Sequence, residues 1–152
     1  RKFNIYKRKF YKKMRWLNKN GKLVWRNDSK YRIKWDQPSR SKEQTKLKQF
    51  LYQYWKNDIV FEEYLLPFCL LRADFLNASK KIAIEHMGTG CHNEYNPFFH
   101  NQNRMNYLSS IKRDIKKVEI LQKNGFTVLE TFTSDLNKLS YQFFIDTYGI
   151  YL

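Results

Sequence analysis

The sequence predicts an α/β domain with a mixed central sheet, preceded by a basic arm that carries a β-hairpin. Three observations carry that expectation. Helical and alternating apolar patterns follow one another over residues 39–152 in the order helix, three strands, helix, strand, helix. The charge is lopsided: residues 1–48 hold 18 Lys and Arg against three acids, while residues 49–152 hold 11 of each sign, so the whole net charge of +15 is N-terminal. Hydrophobic residues make up 42% of the chain with only 5 Gly and 3 Pro, enough to bury a core and too much for a disordered tail, a collagen-like chain or a low-complexity protein. No solenoid repeat is present. The longest apolar run, Leu65–Leu71, contains Pro67 and is far shorter than the roughly 20 residues a membrane-spanning helix needs.

The arm, residues 1–38, interleaves basic and aromatic side chains, a composition that suits phosphate contacts beside stacking platforms. Lys7, Arg8, Lys9, Lys12, Lys13, Arg15, Lys19 and Lys22 are the expected phosphate contacts and Trp16 the expected stacking ring. The plainer alternative is that several of these rings pack against the body. A membrane surface is the weaker partner. Arg15 to Trp25 reads as a hairpin around Asn20-Gly21, with Trp16 and Trp25 pairing across it. Tyr31–Trp35 alternates with period two and is a further strand candidate. Pro38 and Ser39-Arg40-Ser41 mark the boundary, placed near residue 38.

In the body, residues 39–152, Leu47, Phe50, Leu51 and Tyr54 recur at helical spacing, predicting a helix over 41–56 capped by Ser39 or Ser41. Glu43 falls on the same inward face; a first-turn acid complementing the helix dipole would also explain it. Strands are expected at Ile59–Tyr64, Leu70–Leu76 and Lys81–His86, the last two joined by a turn centred on Ala78-Ser79. Parity across that turn puts Asp74 and Glu85 on one face as diagonal neighbours, with Phe75, Ile82 and Ile84 on the other. Two carboxylates so close repel each other, and a divalent cation relieves the repulsion.

Residues 88–105 are polar and glycine-bearing, long for a connection. A helix over 105–123 carries Leu108, Ile111, Ile115, Val118 and Leu121 on one stripe and ends at Asn124-Gly125. Phe126–Thr131 is a strand. Thr133 or Ser134 then caps a last helix that reaches Gly149 and turns Leu136, Leu139, Phe143 and Phe144 inward.

Ser41-Lys-Glu43, Leu71-Arg72-Ala73-Asp74-Phe75, Lys81-Ile-Ala-Ile-Glu85-His86-Met-Gly88, Arg113-Asp114 and Asn124-Gly125-Phe-Thr-Val-Leu together resemble the PD-(D/E)XK nuclease superfamily. The resemblance is to its very-short-patch-repair-like branch in particular, which includes phage and intron homing endonucleases. It implies a restriction-endonuclease-like core and a metal-dependent DNA endonuclease, with Asp74, Glu85 and Glu43 holding Mg²⁺ or Mn²⁺. Met87 stands where the wider superfamily has a lysine; the branch uses a histidine near the strand end instead, so His86 or His92 is expected as general acid/base or phosphate ligand. For His92, satisfying a loop carbonyl is the plainer alternative. Asp114 either supports the site or pairs with a surface lysine.

Cys69, Cys91, His92 and His100 lack the spacing of a zinc site, and two cysteines are no disulfide framework. A reducing compartment is therefore expected: the cytoplasm of a bacterial or phage-infected cell, or an organelle if a presequence has been removed. The chain opens on Arg1 rather than Met, leaving room for an upstream segment, and shows no signal-peptide pattern. Double-stranded DNA is the expected partner and RNA remains an open second. The competing expectation is a non-catalytic nucleic-acid-binding protein, or assembly subunit, that keeps a nuclease-like scaffold.

Overall fold

The computed structural model describes residues 13–88 and 104–152. A two-stranded hairpin, β1 (Lys13–Leu17) and β2 (Leu23–Asn27), precedes a four-stranded sheet of β3 (Val60–Leu65), β4 (Arg72–Asn77), β5 (Ile82–Gly88) and β6 (Thr127–Phe132). Three helices complete it: α1 (Lys42–Trp55), α2 (Arg104–Lys123) and α3 (Tyr141–Tyr148). The sheet order is β3-β4-β5-β6, antiparallel except for the parallel pair β5 and β6 that α2 connects, so the expected α/β fold with a mixed sheet is what the chain forms. Among the described residues no helix is long and apolar enough to cross a membrane.

Period two gives the sheet two faces, each with its own core. On one, Phe75, Ile82, Ile84 and Leu129 meet Leu47, Leu51 and Trp55 of α1 and Phe144 of α3. On the other, Leu76, Ala83 and Phe61 meet Leu121 of α2, Phe126 and Trp16 of the hairpin. Helix α1 begins where Ser41 accepts the Gln44 N–H at 3.1 Å. Lys48 on α1 is buried; its ammonium reaches Glu62 at 2.7 Å and the Gln37 carbonyl at 2.8 Å, and Ser39 also donates to Glu62, which ties residues 37–39 onto the sheet.

Four local expectations are corrected. The hairpin pairs Trp16 with Val24 and Arg15 with Trp25, so the two tryptophans face opposite ways. The hairpin loop spans residues 18–22, where Asn18 Oδ1 accepts the N–H groups of Asn20 and Lys22 and Gly21 takes φ 73°. Residues 31–35 form a single bridge, Arg32 to Phe61, because a 3-10 turn at Ser29–Tyr31 consumes the approach. The last helix starts at Ser140, not at Thr133 or Ser134; a 3-10 turn over Thr133–Asp135 precedes it, and Leu136 is buried all the same.

The described part of the arm is packed on the body rather than hanging free. Trp16, 1% exposed, stacks between Tyr64 and Phe126 at 5.5 and 5.8 Å and donates its Nε1–H to Tyr64 Oη at 2.7 Å. Tyr64 reaches that core because Glu63, at φ 48°, interrupts the alternation of β3, so Phe61 and Tyr64, three apart, share a side. Asn124 fastens the hairpin from α2: its Nδ2 donates to the Ile120 carbonyl at 2.8 Å and its Oδ1 accepts the Leu17 N–H at 2.9 Å.

Candidate active site

Strands β4 and β5 pair Leu76 with Ala83 and Phe75 with Ile84. The same register sets Asp74 directly opposite Glu85, a closer approach than the expected diagonal. The parity is as predicted; the turn is centred two residues' pairing further on, over 78–81, because Asn77 Oδ1 accepts the Lys80 N–H at 2.9 Å and Lys81 takes φ 57°. Glu85 Oε1 accepts the Asp74 N–H at 3.3 Å, and Asp74 Oδ2 accepts the His86 N–H at 2.8 Å. Gln44, on the first turn of α1, also hydrogen-bonds the Asp74 carboxylate.

The missed residue is Lys117. Its Nζ lies 2.6 Å from Glu85 Oε2, bringing a cation from α2 to the acid pair. On a sequence it is one more lysine of an amphipathic helix. Its signal was its position four before Leu121, which is buried, and three after Asp114, which lines the same pocket. The expected stripe through Leu108 and Ile115 is corrected accordingly: both are exposed, so the middle of α2 turns Asp114 and Lys117 to the sheet. The pocket is about 330 Å³ and open to solvent, with Arg40, Gln44, Asp74, Glu85 and Lys117 among its walls.

Glu85 is only 4% exposed. Burial, and then the charge of Asp74, push its carboxyl up to about 8, against the pull of Lys117. Burial raises Asp74 as well. Lys117 is held above its ordinary value: burial works against its charge, but the Glu85 carboxylate outweighs it. Glu63, on the neighbouring strand, is raised by burial and by Asp74.

Because Glu85 binds its proton more tightly in the folded chain than its ordinary 4.5, folding takes up protons between about 4.5 and about 8. Stability is therefore expected to fall as pH rises through that window, by up to about 1.4 kcal/mol per pH unit, and to level off above it. Urea denaturation at half-unit pH steps measures this, and a stability that rises between pH 5 and 8 contradicts it.

Glu43 and His86 come together elsewhere. Ile84 and His86 share the α1 face of β5, so His86 Nε2 meets Glu43 Oε2 at 2.6 Å while its Nδ1 lies 3.0 Å from Thr131 Oγ1. Thr133 Oγ1 donates to both Glu43 oxygens at 3.1 and 3.0 Å. The His86 hydrogen bond, first, and then the Thr133 one hold the Glu43 carboxyl below its ordinary value against burial. Glu43 is thus not assembled with Asp74 and Glu85 as a third metal ligand, since it lies against the opposite sheet face. With both ring nitrogens engaged and the ring almost covered, His86 orients the α1 terminus and the β5 end.

Among the described residues no group of three or more His, Cys, Asp or Glu is arranged to hold a metal ion. Asp74 and Glu85 are a pair of hard oxygen donors, and Mg²⁺ is commonly held by one or two carboxylates with water and substrate phosphate completing its shell. The donor set fits the ion at that level.

Of the expected nucleic-acid contacts, Arg15, Lys19 and Lys22 are exposed on the hairpin. Lys13 opens β1. Trp16 is corrected: both its ring faces are covered, leaving none for a base. Trp25, 56% exposed with the Arg15 guanidinium 5.1 Å above its ring, occupies the outward position instead. Lys7, Arg8, Lys9, Lys12 and His92 lie outside the described residues. The chain matches no protein-family model, no curated protein and no solved structure.

Proposed function

We propose that this protein is a metal-dependent DNA endonuclease, with a restriction-endonuclease-like core of the very-short-patch-repair-like kind. A phage or mobile-element homing role is the biological setting that resemblance suggests. The observation that carries the reading is the opposition of Asp74 and Glu85 across β4 and β5 with the Lys117 ammonium 2.6 Å from Glu85, in a pocket open to solvent. Asp74 and Glu85 would hold Mg²⁺ or Mn²⁺, which when bound polarises a phosphodiester and lowers the pKa of a water. Lys117 adds a positive charge where a phosphoryl group gains negative charge in the transition state. The hairpin supplies Arg15, Lys19, Lys22 and the exposed Trp25 as a duplex grip beside that site.

One observation favours the second reading, a non-catalytic nucleic-acid-binding scaffold. Lys117 already balances Glu85, so the acids need no metal to be tolerated in the fold. Incubating the protein with supercoiled plasmid in Mg²⁺, Mn²⁺ and EDTA separates the two. Nicking or linearisation that requires metal is the expected result. Retarded but uncut DNA in every metal, on plasmids of varied sequence, leaves the scaffold.

A further inference from the structure

The loop between β3 and β4 is the most conspicuous surface that the nuclease reading leaves unused. Its ends are closed by the Leu66 N–H donating to the Leu71 carbonyl at 2.8 Å, and Leu66 is buried. Its tip nevertheless presents Leu70, 92% exposed, and Phe68, 54% exposed. Phe68 takes φ 65°, a conformation that favours glycine, yet the position carries an aromatic ring. Arg40, Arg72 and Arg113 are all exposed, and with Leu70, Leu71, Asp74 and Lys117 they line a hollow of about 300 Å³ that adjoins the acid pair. Arg72 donates to the Glu63 carbonyl at 2.9 Å and Arg113 to Ser110 Oγ at 3.2 Å, so both arginines are anchored on the protein.

Three guanidinium groups around two apolar side chains match a ligand that offers phosphates and an uncovered apolar face together. A fully paired duplex offers phosphates, but its base faces are closed by stacking. A lipid surface would cover the apolar tip without explaining why the hollow opens onto paired carboxylates. Nucleotides unstacked from a duplex offer both groups at once.

We propose that the β3–β4 loop contacts unpaired bases flanking the reacting phosphate, so that the nucleic acid this site takes is a duplex interrupted by unpaired nucleotides. The inference rests on the nucleic-acid reading of the site. Arg72 and Arg113 hold the flanking phosphates, and Phe68 and Leu70 cover the released base face.

The test uses the full chain in EDTA with two DNA duplexes of one sequence, fully paired or carrying a three-nucleotide bulge, with 2-aminopurine beside the bulge. About tenfold tighter binding of the bulged duplex, with a change in 2-aminopurine fluorescence, is expected. The double variant Phe68→Ser/Leu70→Ser is expected to lose both while keeping its melting temperature and its affinity for the paired duplex. Leu70→Ser alone, at a fully exposed position, repeats the measurement with the Phe68 backbone untouched. Equal affinity for the two duplexes, or a preference that survives both variants, overturns the inference and leaves the nuclease reading standing. A concentration-dependent dimer abolished by Leu70→Ser also overturns it, assigning the loop to self-contact. Absence of binding to either duplex removes the nucleic-acid reading and this inference with it.

Discussion

Asp74→Asn is expected to lower metal-dependent cleavage by about 10² to 10³-fold while making the protein more stable at neutral pH. The two effects have one origin. The Asp74 carboxylate is buried and faces Glu85, whose own carboxyl its charge helps push up to about 8. An asparagine keeps a carbonyl oxygen for the His86 N–H, now 2.8 Å from Asp74 Oδ2, but removes the repulsion. Relief worth about one pKa unit is about 1.4 kcal/mol, readable in urea at pH 7. A site kept for function commonly costs stability in this way. Cleavage equal to the parent's would place the chemistry elsewhere; lost cleavage together with lost stability would make Asp74 a structural residue.

Trp16→Ala is expected to destabilise the fold by about 3 to 5 kcal/mol, against about 0.5 kcal/mol or less for Trp25→Ala. Trp16 fills the space between Tyr64 and Phe126 and is the partner of the Tyr64 hydroxyl, so truncation leaves a cavity and a buried hydroxyl without its donor. Trp25 is exposed, and its removal leaves no hole. Thermal melts of the two variants decide the matter, and amide exchange at Leu17 reports whether the hairpin has come loose. Equal melting temperatures would mean that the hairpin contributes nothing to the body.

What the sequence made legible follows from how rigid each rule is. Side chains on a strand alternate without exception unless the backbone is distorted, so placing Asp74 and Glu85 on one face survived an error of two residues in the register. The turn length was not legible because Lys81, an ordinary lysine, takes φ 57° there. Similarly, Glu63 at φ 48° breaks the alternation of β3, and nothing in Glu62-Glu63 announces it. Which tryptophan of the hairpin turns inward is decided by Tyr64 and Phe126, remote in sequence, so the tryptophan pair was misassigned. Glu43 was placed correctly on the inward face of its helix. Its partner was not, because that face looks at His86 from the other side of the sheet. Lys117 was the hardest to see, since a helix shows its lysines alike until the element it packs on is known.

Asn124 ends the helix on which Lys117 rides two turns earlier, and the same side chain pins the hairpin. Seven residues at 1.5 Å each make α2 a rod of about 10 Å between that rivet and the ammonium. The gripping surface and the charge beside the acid pair are therefore the two ends of one stiff part. Strand held at the hairpin is held at a fixed reach from the carboxylates, with the helix serving as the gauge.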